Sequence, residues 1–256
     1  MRIKNLSWSY GKERILDDIN ITFFKSGLYG IIGPNGSGKT TLLKSISRSL
    51  MPKENVVFLG DRDITVFSNK ELARNIAYVP QDIYFEFEFS VMDIVLMGRS
   101  PYLKRFHSES EYDMETAKNA MQITNTWHLR EKNIAEISGG ERQRVIIARA
   151  LAQGTGIMLM DEPVSQLDIQ HQVEILGIIK RLTEDKGMIA ILSLHDLNLA
   201  SQYCDHLILL SKGRVLKQGS PQEIITEGNI SKVYNTKVHI FENPFTGRPY
   251  IIPFSN

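Results

Sequence analysis

Cysteine is almost missing from this chain: 256 residues hold one thiol, Cys204. No intramolecular disulfide framework can form, so a packed core must hold the fold, and a reducing compartment is expected. Excess charge is missing as well. Lys and Arg number 30 against 29 Asp and Glu, a formal net charge of +1. That offers no broad basic field, and nucleic acid is not expected as a partner. No apolar run approaches the ~18 residues needed to span a bilayer, so work at a membrane would require another chain to cross it. Met1-Arg2-Ile3-Lys4-Asn5 is not followed by a long apolar stretch, and no signal peptide is expected. His107, His128, His171 and His206 lack ligand spacing, so no histidine metal site is expected. Cys204, two residues from His206, reads as a buried core thiol. There is no internal repeat and no low-complexity segment.

What is present is an alternation of apolar strands and amphipathic helices. Residues 3–24 read as β structure, with a turn at Tyr10-Gly11-Lys12. Leu28–Ile32 is a buried strand, followed by a helix pattern with Leu42, Leu43, Ile46 and Leu50 on one face. Val56–Gly60 and Ile76–Val79 are further short strands. From about Glu88 to Gln153 the pattern turns mostly helical, and Val91, Ile94, Val95 and Met97 form a buried helix ending at Gly98. Phe85, Phe87 and Phe89 alternate with Glu86 and Glu88, as in a short strand, the core of a helical region or a rim against a partner. After Gly156, strand Ile157–Met160, a helix with Ile175, Ile178, Ile179 and Leu182 inward, and strand Met188–Leu192 predict a parallel core sheet with helices on both sides. Leu207–Leu210, Lys212-Gly213 and Arg214–Leu216 read as a β-hairpin. The tail from about residue 229, with Pro244, Pro249 and Pro253, reads as an irregular cap on the sheet.

Three segments carry chemistry. Gly33-Pro34-Asn35-Gly36-Ser37-Gly38-Lys39-Thr40 fits G-x-x-x-x-G-K-[ST], placed between a strand and a helix. Its glycines let backbone N–H groups close on phosphates, and the helix N-terminus adds partial positive charge. Lys39 would reach the β- and γ-phosphates and Thr40 would hold Mg²⁺. Asp161-Glu162-Pro163 ends a parallel strand, where ligands bind in such sheets. Asp161 is a candidate for Mg²⁺, and Glu162 for general base on an attacking water. Ile137-Ser138-Gly139-Gly140-Glu141-Arg142-Gln143 opens a helix with an S-x-x-E capping box, and its two glycines expose N–H groups at a second positive helix end.

Taken together over about residues 1–240, these motifs resemble the ATP-binding subunit of an ABC transporter. Gly33–Thr41 matches the Walker A motif, Tyr78-Val79-Pro80-Gln81 the Q-loop, Ile137–Gln143 the signature, Ile157–Pro163 Walker B, Ser165-Gln166-Leu167-Asp168 the D-loop and Leu194-His195-Asp196 the H-loop. The resemblance implies an α/β P-loop NTPase fold: a mainly parallel core sheet, an antiparallel β subdomain and an inserted helical subdomain at about 88–153. The ATPase domain would span 1–228, with a tail at 229–256 packed on it. It implies ATP and Mg²⁺ as ligands. Tyr10 would stack on adenine, and Asn35, Gly36, Ser37, Gly38, Lys39, Thr40 and Thr41 would hold the phosphates. Thr40, Gln81 and Asp161 would serve the metal, and His195 would reach the γ-phosphate and help position water. Ser138, Gly139 and Gly140 would bind the γ-phosphate of ATP held by a second copy, which Asp168 would touch, so a head-to-tail homodimer is expected.

Gly98-Arg99-Ser100-Pro101 and the tail resemble the import branch for iron-siderophores, haem and cobalamin. That branch implies multi-spanning permease subunits, a separate extracytoplasmic substrate-binding protein and a peripheral place on the cytoplasmic face of the membrane. A soluble ABC ATPase without a transport role, such as one in iron–sulfur assembly, and an exporter ATPase are the alternatives. Glu141 departs from the commoner Gln of the signature. Both satisfy a capping box, and a carboxylate aimed at its own cap N–H is partly neutralised.

Overall fold

The structure, a computed structural model, describes residues 1–81, 88–104 and 108–254. Phe85, Glu86, Phe87 and His107 lie outside the described residues. Strands β1 (Arg2–Tyr10) and β2 (Glu13–Thr22) form an antiparallel hairpin that turns where Tyr10 pairs with Glu13. β3 (Gly27–Ile32) follows, then α1 (Lys39–Ile46). β4 (Val57–Leu59) and β5 (Arg62–Asp63) complete a four-stranded sheet in the order β2-β1-β4-β5. Next come α2 (Asn69–Ala73), β6 (Ile76–Val79), and the helices α3 (Val91–Leu96), α4 (Glu111–Ile123) and α5 (Gly139–Ala152). The chain then alternates β7 (Ile157–Met160), α6 (Ile169–Asp185), β8 (Ile189–Ser193), α7 (Leu197–Tyr203), β9 (His206–Ser211) and β10 (Arg214–Gly219). It closes with α8 (Pro221–Ile224), α9 (Glu227–Tyr234) and a second hairpin, β11 (Lys237–Glu242) and β12 (Pro249–Phe254).

The main sheet runs β10-β9-β3-β8-β7-β6, parallel except for β10. Its middle strand shows why: every residue of β3 is buried, as a parallel strand covered on both faces requires. Side chains alternate between two cores. Leu28 and Ile32 face a core built with α3–α7, while Tyr29 and Ile31 face one built with α1 and the four-stranded sheet. Gly30 sits where a Cβ would lie 2.7 Å from the Cys204 sulfur, so the end of α7 packs directly onto β3. Cys204 is fully buried, and burial pushes its thiol pKa up. In α6, Ile175, Ile178, Ile179 and Leu182 are buried at helical spacing.

Three expectations change. Met97 lies beyond α3, which ends at Leu96, and is exposed rather than part of a buried helix. Leu50 lies beyond α1, which ends at Ile46, and is only partly buried. The tail is regular: α9 leads into the β11–β12 hairpin, whose strand β12 docks on α7 through Ser201 Oγ donating to Pro249 O at 2.6 Å and Ile251 N donating to Asn198 Oδ1 at 2.8 Å. Its prolines are compatible with this. Pro249 opens β12, and a two-stranded sheet leaves each strand an unpaired edge where Pro253 loses no ladder bond.

Candidate functional site

The loop between β3 and α1 is shaped by glycines in backbone conformations that side chains rarely adopt. Gly33, Gly36 and Gly38 have φ of 154°, 75° and 103°. A Cβ on Gly33 would lie 2.3 Å from the Leu210 carbonyl oxygen, and one on Gly38 2.7 Å from Leu16 Cδ2. Gly38 is also the N-cap of α1 and brings no side-chain cap, so the first N–H groups of that helix have no side-chain partner at the cap. They border a cavity of about 600 Å³ lined by Tyr10, Glu13, Ile15, residues 35–41, Gln81, Glu162 and His195. Tyr10, half-exposed, stands at its rim.

Lys39 is buried, and its Nζ donates to the carbonyls of Gly33 at 2.9 Å and Pro34 at 3.2 Å. Burial lowers its pKa, and Glu162 and Asp161 partly oppose that shift. Ser37 Oγ is buried without a hydrogen-bond partner among the described residues. An orphaned hydroxyl, a lysine resting on loop carbonyls and an open helix N-terminus form a donor set suited to a polyphosphate.

The acidic side is contributed by neighbouring strand ends. Asp161 is 1% exposed, and its Oδ1 accepts from Thr40 Oγ1 at 3.1 Å and from Ser193 Oγ at 2.7 Å. Hard carboxylate and hydroxyl oxygens side by side suit Mg²⁺. Glu162 has φ of 49°, a left-handed conformation uncommon outside glycine. Its Oε2 accepts from Gln81 Nε2 at 2.8 Å, and its Oε1 is hydrogen-bonded to His195 Nε2. Residues 81, 162 and 195, far apart in sequence, therefore meet at one carboxylate.

The helix tip of α5 lies outside that cavity, and Gly139 lines a neighbouring one of about 250 Å³ that also includes Gln81 and Glu162. Ser138 caps the helix: its Oγ accepts from Glu141 N at 3.3 Å, while Glu141 Oε2 accepts from Ser138 N and Ser138 Oγ, both at 2.8 Å. Those bonds hold the Glu141 carboxyl below its ordinary pKa. Ser138 and Gly139 are exposed, and neither they nor Gly140 line the cavity at Lys39. Gly140 is buried against α6, where a Cβ would meet the His171 ring at 2.7 Å. Asp168 caps α6 and pairs with His171 Nδ1 at 2.7 Å.

A family model described as "ABC transporter" matches residues 16–165. The chain belongs to the ABC transporter family. As such it is an ATPase, and it binds ATP. It is 37% identical to the ferric enterobactin transport ATP-binding protein FepC of Escherichia coli (strain K12), over 99% of this chain and 93% of that protein. A solved inward-facing putative metal-chelate type ABC transporter superposes with TM-score 0.85 at 27% identity, covering 99% of this chain and 97% of that one. The dimeric structure of MJ0796, a bacterial ABC transporter cassette, superposes with TM-score 0.74 at 26% identity, covering 86% and 97%. In this ABC ATPase no helix among the described residues is long and apolar enough to cross a membrane.

Sequence reasoning missed Glu13 and Ile15 at the cavity wall and Ser193 beside Asp161. The first two belong to a strand whose pattern announces only core. Ser193 falls between motifs, and only the parallel register of β7 and β8 brings it to Asp161.

Proposed function

We propose that this ABC ATPase is the ATP-binding subunit of an importer for a metal chelate, an iron-siderophore first, with haem or cobalamin as the other members of that class. It works as a head-to-tail homodimer on the cytoplasmic face of the membrane, docked on multi-spanning permease subunits that receive cargo from a separate binding protein. The observation that carries this reading is the distance in function between two anion sites of one chain. The Lys39 cradle forms a cavity, while Ser138 and Gly139 stand exposed and neither they nor Gly140 line it. The dimeric cassette supports the assembly, and the FepC relative, a ferric enterobactin transport protein, supports a chelate cargo.

The geometry supports the following roles. Tyr10 offers its ring to adenine at the cavity rim. Backbone N–H groups of residues 35–41 and the Ser37 hydroxyl donate to phosphate oxygens, and the Lys39 ammonium moves from loop carbonyls to the β- and γ-phosphates. Thr40, Asp161 and Gln81 would hold Mg²⁺, which when bound neutralises charge developing on the phosphate oxygens. Glu162 takes the proton of the attacking water. Its two oxygens already accept from Gln81 and pair with His195, and each keeps a lone pair for that water. His195 orients the carboxylate and faces the γ-phosphate. Ser138, Gly139 and Gly140 bind the γ-phosphate of the other copy, so ATP joins the subunits and hydrolysis parts them.

The Glu162→Gln variant removes the base and keeps the size. It should bind ATP and Mg²⁺, fail to hydrolyse, and elute as a dimer in size-exclusion chromatography. A variant that stays monomeric at saturating ATP and Mg²⁺ would defeat the shared-nucleotide assembly.

A further inference from the structure

Strand β8 ends in a hydroxyl that belongs to none of the sequence motifs. Ser193 is fully buried, in register with Ile31 of β3 on one side and one residue past the Leu192–Met160 pair on the other. Its Oγ donates to Asp161 Oδ1 at 2.7 Å and accepts the Glu162 N–H at 2.8 Å. A hydroxyl has one proton and two lone pairs, so both bonds can exist at once. The Asp161 oxygen it holds is the one that also accepts from Thr40 at 3.1 Å. The N–H it holds belongs to a residue at φ 49°. A non-glycine residue stays in that region only when its surroundings fix it there.

We propose that Ser193 is the positioning residue of the acidic pair. One hydroxyl fixes the face that Asp161 turns to the cation and fixes the backbone twist that sends the Glu162 side chain toward Gln81 and His195. The two carboxylates belong to adjacent positions, and the Ser193 Oγ contacts the carboxylate of the first residue and the backbone N–H of the second. The proposal rests on the roles given above to Asp161 as cation holder and Glu162 as base. A serine that merely filled the core would be replaceable by any side chain of similar volume. A positioning serine is replaceable only by another hydroxyl.

The isosteric pair Ser193→Thr and Ser193→Val isolates that hydroxyl, with Ser193→Ala as a third variant. Three readouts are needed on the purified chain: binding of a fluorescent ATP analogue in EDTA, the Mg²⁺ concentration that half-saturates the Mg²⁺-dependent change in that binding, and steady-state hydrolysis. Groups that orient metal ligands typically carry about 10–100-fold in metal affinity or activity. Ser193→Val and Ser193→Ala should therefore need about 10–100-fold more Mg²⁺ and lose kcat by a similar factor, with KM for ATP and binding in EDTA within about threefold. Ser193→Thr should stay within about threefold of the parent on all readouts. Should Ser193→Ala not fold, the Thr–Val comparison alone decides. Equal Mg²⁺ response and kcat in Thr and Val would overturn the proposal, as would a loss of binding in EDTA as large as that in Mg²⁺. If instead the parent itself bound nucleotide without regard to Mg²⁺, or Glu162→Gln hydrolysed at the parent rate, the roles of Asp161 and Glu162 would fall, and the proposal with them.

Discussion

Arg99, in the Gly98–Pro101 segment, has a structural role whose removal can be sized. It is 4% exposed. Its Nε donates to Asp113 Oδ1 at 2.8 Å, one terminal nitrogen donates to Ala152 O at 2.7 Å, and the guanidinium lies 4.0 Å from the Tyr102 ring centroid. The turn after α3, the start of α4 and the end of α5 are thus tied through one side chain. Arg99→Ala leaves a buried carboxylate without its cation, a defect of about 3–5 kcal/mol. The stranded Ala152 carbonyl would add about 1–3 kcal/mol if water could not reach it. The vacancy left by the side chain admits water to both groups, so the sum is not reached, and a net loss of about 3–5 kcal/mol is expected. That is a large part of the ~5–15 kcal/mol by which domains are stable. The assay is urea unfolding followed by Trp127 fluorescence in a Trp8→Phe background, since the chain has two tryptophans and Trp127 sits between α4 and α5. Replacing the pair together, Arg99→Met with Asp113→Leu, should recover most of the loss. The Ser110 hydroxyl, then Arg99, holds the Asp113 carboxyl below its ordinary pKa. Its contribution is therefore present above the ordinary Asp range and is lost as pH falls through the depressed value, so parent and Arg99→Ala should converge in acid. A single-variant loss under about 1 kcal/mol, or losses that simply add in the double variant, would refute the reasoning.

Lys39→Ala should weaken binding of a fluorescent ATP analogue by roughly 10–100-fold, the equivalent of a charged hydrogen bond of about 1.5–3 kcal/mol; affinity within about twofold of the parent would contradict its phosphate role. Glu141→Gln should leave hydrolysis within about tenfold, near 1.4 kcal/mol, because the carboxamide oxygen can still accept from Ser138. A greater drop in a phosphate-release assay would show that the carboxylate charge acts beyond the cap.

The parts of this fold that were legible in the sequence are those where one physical cause dominates. The β3–loop–α1 unit shows because a buried strand, a glycine turn and a lysine are each required locally. The Ser138–Glu141 capping box and the inner face of α6 show for the same reason. The β9–β10 hairpin is marked by Lys212-Gly213, with φ of 47° and 75°. The tail was misread because proline is excluded only where the N–H faces the partner strand, and Pro249 and Pro253 share the outward parity of Ile251, whose N–H donates to Asn198. Leu50 was assigned to α1 because its apolar spacing continues after the helix has ended. Arg99 and Ser193 could not be understood from their neighbours, since their partners lie 14 to 53 residues and 31 to 32 residues away.

The two helix tips proposed to bind phosphate are not in the same condition. The first carries a bare glycine where a cap would be, so its amide protons are always available to an anion. The second spends its serine on its own glutamate, and a visiting phosphate must compete with that internal bond. In the proposed assembly, the cradle would therefore load before the partner copy's serine gives up its internal bond.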